Sequence, residues 1–213
     1  MAERTEGQQR SFDQPPTEGL TPEEDRELAA LLGKWTGGRI STPVFTEIAR
    51  MSPQAIVEVV IFRMNDGVLE TLLIPRPEDD IVWPGMYHTP GAALRTADFH
   101  RDDDNPLNGP FERIQRGELG SEFKESPKFA GRLHRLGGRG PEVAEVYIAE
   151  LPEDVQTPEA HIWYPAADLP NNPKFIQHQL GHVQIAERVY GFLSAISGVS
   201  LRDNSQEVDQ FQN

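Results

Sequence analysis

The 213-residue chain contains no cysteine. Disulfide scaffolds, thiolate zinc sites, iron–sulfur clusters and cysteine nucleophiles are excluded on that ground alone. Positive charge is also scarce: 20 Lys and Arg stand against 34 Asp and Glu, a formal net charge of −14 at pH 7. A field of that sign repels polyphosphate backbones, so general nucleic-acid binding is not expected. A small anionic substrate remains compatible, because a pocket can gather arginines or a divalent cation locally. No run approaches the length of a membrane-spanning helix, and residues 1–10 are polar where a secretory signal needs an apolar stretch. A soluble, cytoplasmic protein without membrane contact is the expectation. No P-loop, Gly-x-Gly-x-x-Gly or serine-nucleophile motif is found either.

What is present reads as one domain with extensions. Residues 1–20 hold few large apolar side chains and two adjacent prolines, the composition of a flexible arm. Thr21-Pro22-Glu23-Glu24 then carries the signals of a helix start, and Leu28, Leu31, Leu32 and Trp35 follow at helical spacing, which predicts a helix over 22–35. This helix and its connection occupy 21–52, the main domain 53–198, and a frayed tail 199–213. Ala55 to Arg63 and Val68 to Ile74 are apolar and β-branched, with Asn65-Asp66-Gly67 between them, and predict a hairpin. The stretch from Trp83 to Leu94 is punctuated by Pro and Gly like backbone that must pass close to something.

Residues 101–110 have the composition of a surface insertion, and 109–119 have helical spacing ending at Gly120. Phe129 to Leu136 and Val143 to Leu151 flank a Gly-rich turn as a second hairpin, and a short strand follows at Ile162 to Tyr164. A final helix is expected over 173–197. Mixed strands and helices in this order predict an α+β fold, a mixed sheet sandwiched by helices.

Arg76, set between Pro75 and Pro77, and the group Arg132, His134, Arg135 and Arg139 are candidate phosphate contacts, since a guanidinium matches phosphate geometry. Surface salt bridging is the plainer expectation for them. Trp83 and Tyr87 could stack on a nucleobase or equally cover the core. His178 and His182 lie four apart on the expected last helix, and the string between them mimics a zinc-protease motif but has Gln179 where the general-base Glu is required. The reading for this pair is that one, His178, borders a substrate pocket while the other meets water at its edge.

The order strand, Trp83, Pro90-Gly91-Ala92, Asp98, then a helix with Arg113, Glu118 and Gly120 resembles the Nudix family over residues 53–196. The family signature is Gly-x5-Glu-x7-Arg-Glu-U-x-Glu-Glu-x-Gly-U, with U apolar. Ala92 stands at its first Gly, Asp98 at its first Glu, Arg113 at its Arg, Glu118 at its last Glu and Gly120 at its second Gly, with about seven residues inserted after Asp98. Ile114 and Gly117 replace two of the helix glutamates. The string from Phe111 to Gly120 is similar to the reduced box of GDP-mannose mannosyl hydrolase, a branch that keeps the Arg and only the last helix Glu.

The resemblance implies a Nudix-type α/β/α sandwich and a Mg²⁺- or Mn²⁺-dependent hydrolase acting on a nucleoside diphosphate linked to another moiety, an NDP-sugar among the options. It implies that the Gly91 carbonyl, Glu118 and Gln156 hold the cation, with Asp98 as an auxiliary ligand. It implies Glu159 or His161 as base and Arg113 in an orienting role near Glu118. A small-molecule nucleotide derivative is the implied partner, and family habit adds a homodimer. Chemistry agrees in kind, because Mg²⁺ takes hard oxygen donors and commonly only one or two carboxylates from protein. The rival expectations are a Nudix-like domain that no longer hydrolyses and binds a nucleotide-type ligand or a protein partner, and a structural module that recruits partners.

Overall fold

The computed structural model describes residues 19–35, 41–101 and 105–202. The arm expected over 1–20 lies almost wholly outside the described residues, as do residues 102–104 of the insertion and the tail beyond 202. Helix α1 (Pro22–Leu32) begins where its cap dictates: the Glu24 carboxylate accepts from the Thr21 N–H at 2.8 Å, and the Thr21 hydroxyl accepts in return from the Glu24 N–H at 3.3 Å. It ends at Leu32 rather than Trp35, and Leu28, Leu31 and Leu32 are exposed instead of packed. A second helix, α2 (Thr42–Met51), occupies the stretch expected to be a connection; Ala49 is its buried residue, and it packs on the strand Gly140–Ala149.

Strand β1 (Gln54–Asn65) is the axis of a seven-stranded mixed sheet. It pairs in parallel with β6 (Gly140–Ala149) along 54–61 and antiparallel with β2 (Val68–Pro75) from Phe62↔Thr71 to Asn65↔Val68. Asp66 and Gly67, both at positive φ (47° and 81°), turn the first hairpin as its Asn-Asp-Gly signal predicts. Past Thr71, β2 leaves β1, and a three-residue strand, β4 (Gly91–Ala93), takes its place beside Ile56–Glu58. The splayed end of β2 is instead flanked by β3 (Tyr87–His88) and, lower down, by β7 (Ile162–Pro165). Strand β5 (Lys128–Gly137) closes the far edge against β6.

Alternation along β1 builds two cores. Val57, Val59 and Ile61 face one layer with Ile114 and Leu119, whereas Val60 and Phe62 face the other with Phe175, Val183 and Ala186. The second layer is helix α4, Leu180–Arg202, which starts later than expected because residues 166–171 and 177–179 form 3₁₀ turns.

The first layer is not one regular helix: α3 (Asn108–Arg113) runs directly into a π-helical turn, Ile114–Leu119. Hydrogen bonding from i to i+5 puts residues five apart on one face. Ile114 and Leu119, which a regular helix would turn away from each other, are thereby both buried at 0% and 1% exposure. Gly120 closes the turn in the left-handed conformation at φ 68°, where a Cβ would be strained.

Candidate active site

The divergence of β2 from β1 opens a wedge, and a cleft of about 760 Å³ lies there. Arg76, just past the end of β2, Ala93 and Leu94 at the end of β4, and Glu118 of the π turn line it, together with Arg139 from the β5–β6 turn. Pro90 and Leu94 exchange backbone bonds with β1, through Val59 N–H to Pro90 O and Leu94 N–H to Ala55 O, both 2.9 Å. Gly91 therefore turns its polar groups away from β1, and its N–H donates to Glu118 Oε2 at 3.0 Å. In extended backbone the C=O of a residue points to the same side as its N–H, so the Gly91 carbonyl is also on the Glu118 side.

Behind Gly91 stands a second carboxyl, Glu58, which sequence reasoning missed. It is 4% exposed on the α4 face of β1 and accepts from Thr89 Oγ1 at 2.9 Å and Gln179 Nε2 at 3.2 Å. Arg135 Nη2 lies 3.8 Å away, as does His182 Nδ1. A Cβ on residue 91 would stand 2.8 Å from Glu58 Oε2, so a side chain there would have to push the Glu58 carboxyl off its present bonds. The signal for Glu58 was a lone charge inside the apolar run AIVEVVIFR, an arrangement that requires buried partners.

Burial pushes Glu58 up to about 8, against the opposing pull of Arg135 and the Thr89 bond, with the nearby Glu118 adding to the rise. Burial likewise pushes Glu118 up to about 7, opposed by the Gly91 N–H and the Arg76 charge. The imidazoles move the other way: burial takes His88 and His182 down to about 3 and His178 to about 4, with neighbouring arginines adding to each shift. His182 is 0% exposed, and among the described residues neither ring nitrogen has a hydrogen-bond partner. It does not meet water at a pocket edge as expected.

Arg113 holds Asp98, not Glu118. Its two terminal nitrogens bond Asp98 Oδ1 and Oδ2 at 2.6 and 2.9 Å, and Nη2 also donates to the Ala93 carbonyl at 2.8 Å. Asp98 Oδ2 accepts a further bond from the Arg95 N–H at 2.8 Å. Burial alone would raise Asp98, but these donors outweigh it and keep the carboxyl below its usual range. With both oxygens committed, Asp98 is a brace between β4 and α3, and it reaches a cation only by giving up Arg113.

The remaining expected site residues are dispersed. Trp83 packs on His178, ring centres 4.8 Å apart, with the Arg139 and Arg76 guanidiniums 5.2 and 5.9 Å from its ring. Trp83 and His178 thus stand behind the arginines rather than on the cleft wall. Tyr87 is packed against the α4-side core and bonded through its backbone to Lys174 and Ile176. Gln156, Glu159 and His161 lie on the loop before β7, outside the cleft lining; Gln156 and Glu159 are exposed, and burial lowers the His161 imidazole.

Among the other basic candidates, Arg132 pairs with Glu145 and Arg135 with Glu142, and His134 is exposed. Only Arg139 and Arg76 of that set reach the cleft, and they share Asp80 at 2.6 and 3.7 Å. Asp80 also accepts the Val82 and Trp83 N–H groups, which hold it below its usual range against the opposing effect of burial.

No protein-family model matches the sequence, and no curated protein matches it. Solved structures do match. The NUDIX domain of Shewanella oneidensis NrtR, complexed with ADP ribose, aligns at TM-score 0.50 and 19% identity, over 78% of this chain and 97% of that one. The MutT protein of Methanosarcina mazei Go1 aligns at 0.49 and 18%, over 65% and 96%. The C. elegans Ap4A hydrolase aligns at 0.47 and 18%, over 67% and 99%. The chain has the Nudix fold, a mixed sheet between helical layers. Among the described residues no helix is long and apolar enough to cross a membrane.

Two predictions follow from the buried charges. Arg113→Ala leaves the 4%-exposed Asp98 without its partner, and should cost about 3 kcal/mol. In a chain of this size that is a Tm lower by roughly 10 °C, whereas Arg63→Ala, on an exposed pair, should change Tm little.

The second concerns pH. The buried imidazoles contribute stability that is fully present above their ordinary pKa of 6.5 and is lost as the pH falls toward 4 and 3. Glu58 and Glu118 keep their protons in the fold, so their contribution is lost as the pH rises from 4.5 through about 7 and 8. Three imidazoles outweigh two carboxyls below pH 6.5, and only the carboxyls act above it. Urea denaturation of the metal-free protein should give greatest stability near pH 6.5, with an alkaline decline that Glu58→Gln flattens. A plateau from pH 6 to 9 in the parent protein would contradict this.

Proposed function

We propose that the chain is a divalent-cation-dependent hydrolase of a nucleoside diphosphate linked to another moiety. The observation that carries this reading is the meeting of Glu118 with Gly91 beside the arginines of the cleft. One carboxylate, Asp80, stands between the two guanidiniums of Arg76 and Arg139 and cannot neutralise both. Over the whole lining Arg76, Arg95 and Arg139 stand against Asp79, Asp80 and Glu118, and with burial raising Glu118 to about 7 the guanidiniums prevail enough to take a diphosphate by charge-assisted hydrogen bonds.

The donor set fits a hard cation and no softer one. Glu118 and the Gly91 carbonyl are oxygen donors; among the described residues no group of three or more His, Asp or Glu side chains is placed to hold an ion. Mg²⁺ or Mn²⁺ would be held by these two groups and completed by phosphate oxygens and water, with Gln156 able to join only if its loop moves. When bound, the ion neutralises phosphate charge and makes the nucleoside diphosphate a better leaving group. The protein's own part is positional. The Gly91 N–H fixes one oxygen of Glu118, the Arg113–Asp98 brace ties the box helix to β4, and Arg76 and Arg139 orient the diphosphate. His161 or Glu159 would serve as base on the same condition, that the loop before β7 moves to the cleft, since neither lines it here, and the leaving moiety is a sugar if the likeness of the reduced box to GDP-mannose mannosyl hydrolase extends to its substrate.

A panel of NDP-sugars, ADP-ribose, dinucleotides and nucleoside triphosphates, with and without Mg²⁺ or Mn²⁺, tests this directly. Metal-dependent turnover is expected for a diphosphate-linked compound, with Glu118→Gln lowering kcat/KM by at least about 100-fold while the fold is kept. Labelled water recovered in sugar or phosphate then identifies the bond broken. Turnover in Glu118→Gln equal to the parent, or none with any compound, would overturn the proposal.

A further inference from the structure

The string His178-Gln179-Leu180-Gly181-His182, whose likeness to a zinc-protease motif fails at Gln179, is used in another way. Gln179 stands just before α4, is 3% exposed, and has both ends of its amide engaged. Its Nε2 donates to Glu58 Oε1 at 3.2 Å, and its Oε1 accepts from the Thr89 N–H at 3.1 Å. Thr89 Oγ1 closes the circuit by donating to Glu58 Oε2 at 2.9 Å. All three residues are buried, Thr89 completely. Arg135 and His182 stand farther from the Glu58 carboxyl, both at 3.8 Å, so neither replaces a bond lost from this circuit.

We infer that Gln179 is a positioning residue for the cation site: from the α4 side of the sheet it sets where Gly91 presents its carbonyl and its N–H beside Glu118. This rests on the cation-dependent reading above and adds what keeps the two donors in register. Gly91 lies on a strand of three residues, whose few ladder bonds hold it weakly by themselves. Side chains anchor that strand at both ends. Beyond Gly91, the Ala93 carbonyl accepts from Arg113 Nη2 at 2.8 Å; ahead of it, Thr89 is held through its N–H by Gln179 and through its hydroxyl by Glu58. Only Pro90 separates Thr89 from Gly91, and its fixed φ passes the position of one to the other with little slack. An amide buried for packing alone would take partners wherever they lay. Gln179 gives both of its bonds to the segment leading into Gly91 and to the carboxyl behind it.

Gln179→Met keeps the length of the side chain and removes both bonds; Thr89→Val removes the hydroxyl with its shape kept, and Thr89→Ser retains it. Groups that hold a metal donor in place are commonly worth about 10- to 100-fold in metal affinity. Binding of Mn²⁺ alone, followed by water-proton relaxation, should therefore be about tenfold weaker in Gln179→Met, weaker also in Thr89→Val, and parental in Thr89→Ser. In the metal-free protein, hydrogen exchange at the Gly91 amide should rise at least about tenfold in Gln179→Met while the amides of β6 exchange as in the parent. Val183→Ala, in the core of the same helix, lowers stability without touching the circuit and should leave Mn²⁺ affinity unchanged. If Gln179→Met does not fold, Thr89→Val beside Thr89→Ser carries the same test. Parental Mn²⁺ affinity in Gln179→Met and Thr89→Val, or an equal loss in Val183→Ala, would overturn the positioning role alone. Absence of Mn²⁺ binding in the parent, or binding that Glu118→Gln leaves unaltered, would overturn the cation reading and this inference with it.

Discussion

The centre of this molecule is organised by a short segment that runs between two buried carboxyls and bonds to both. Gly91 runs between Glu58 and Glu118, and a Cβ there would collide with Glu58 at 2.8 Å. Its backbone N–H is spent on Glu118, and the preceding Thr89 gives its hydroxyl to Glu58. The short strand that carries Gly91 is thus bonded to the helix layer on one side of the sheet and to the polar cluster under α4 on the other. Without it, Glu118 would lose the Gly91 N–H and Glu58 the Thr89 hydroxyl, leaving Glu58 with Gln179 and the more distant Arg135, and buried carboxyls short of donors are costly.

That arrangement explains why the sheet is not continuous. β2 abandons β1 after Thr71, and the three residues of β4 fill the vacated edge. A continuous hairpin would bury more apolar surface but leave no wedge in which Arg76, Gly91 and Glu118 could face one space. The π turn serves the same end. A regular helix would have anchored Ile114 or Leu119 but not both, and Glu118, next to Leu119, is held against Gly91 because that anchor is firm.

The elements with local signals were legible. The Asn-Asp-Gly turn, the capped start of α1 and the glycine stop at 120 depend on a few adjacent residues, and so does the placing of Gly91 and Glu118 in one neighbourhood through the box-like spacing. What depends on partners distant in sequence was not. Glu58 went unnoticed inside the strand read over Ala55 to Arg63, because Gln179, 121 residues away, is needed to make sense of it. Arg113 was assigned to the carboxylate on its own helix, but across the insertion Asp98 offers a two-pronged geometry that a residue on the same helix does not. The leucines of α1 have helical spacing whether or not anything covers them, so periodicity named the helix and misjudged its packing.

Net charge misleads about the cleft for a related reason. A formal charge of −14 describes the field at a distance, which is screened within about 8 Å in physiological salt. At the cleft the relevant sum is local: Arg76, Arg95 and Arg139 against Asp79 and Asp80, with Trp83 packed behind two of the arginines and Glu118 pushed up to about 7 by burial. A group with that pKa is only partly charged at neutrality, so it opposes an incoming anion less than a surface glutamate would, yet a cation can still draw out its full charge. An acidic protein can therefore present a phosphate-receptive wall, provided that its carboxylates are either shared between arginines or held near neutrality until the ligand arrives.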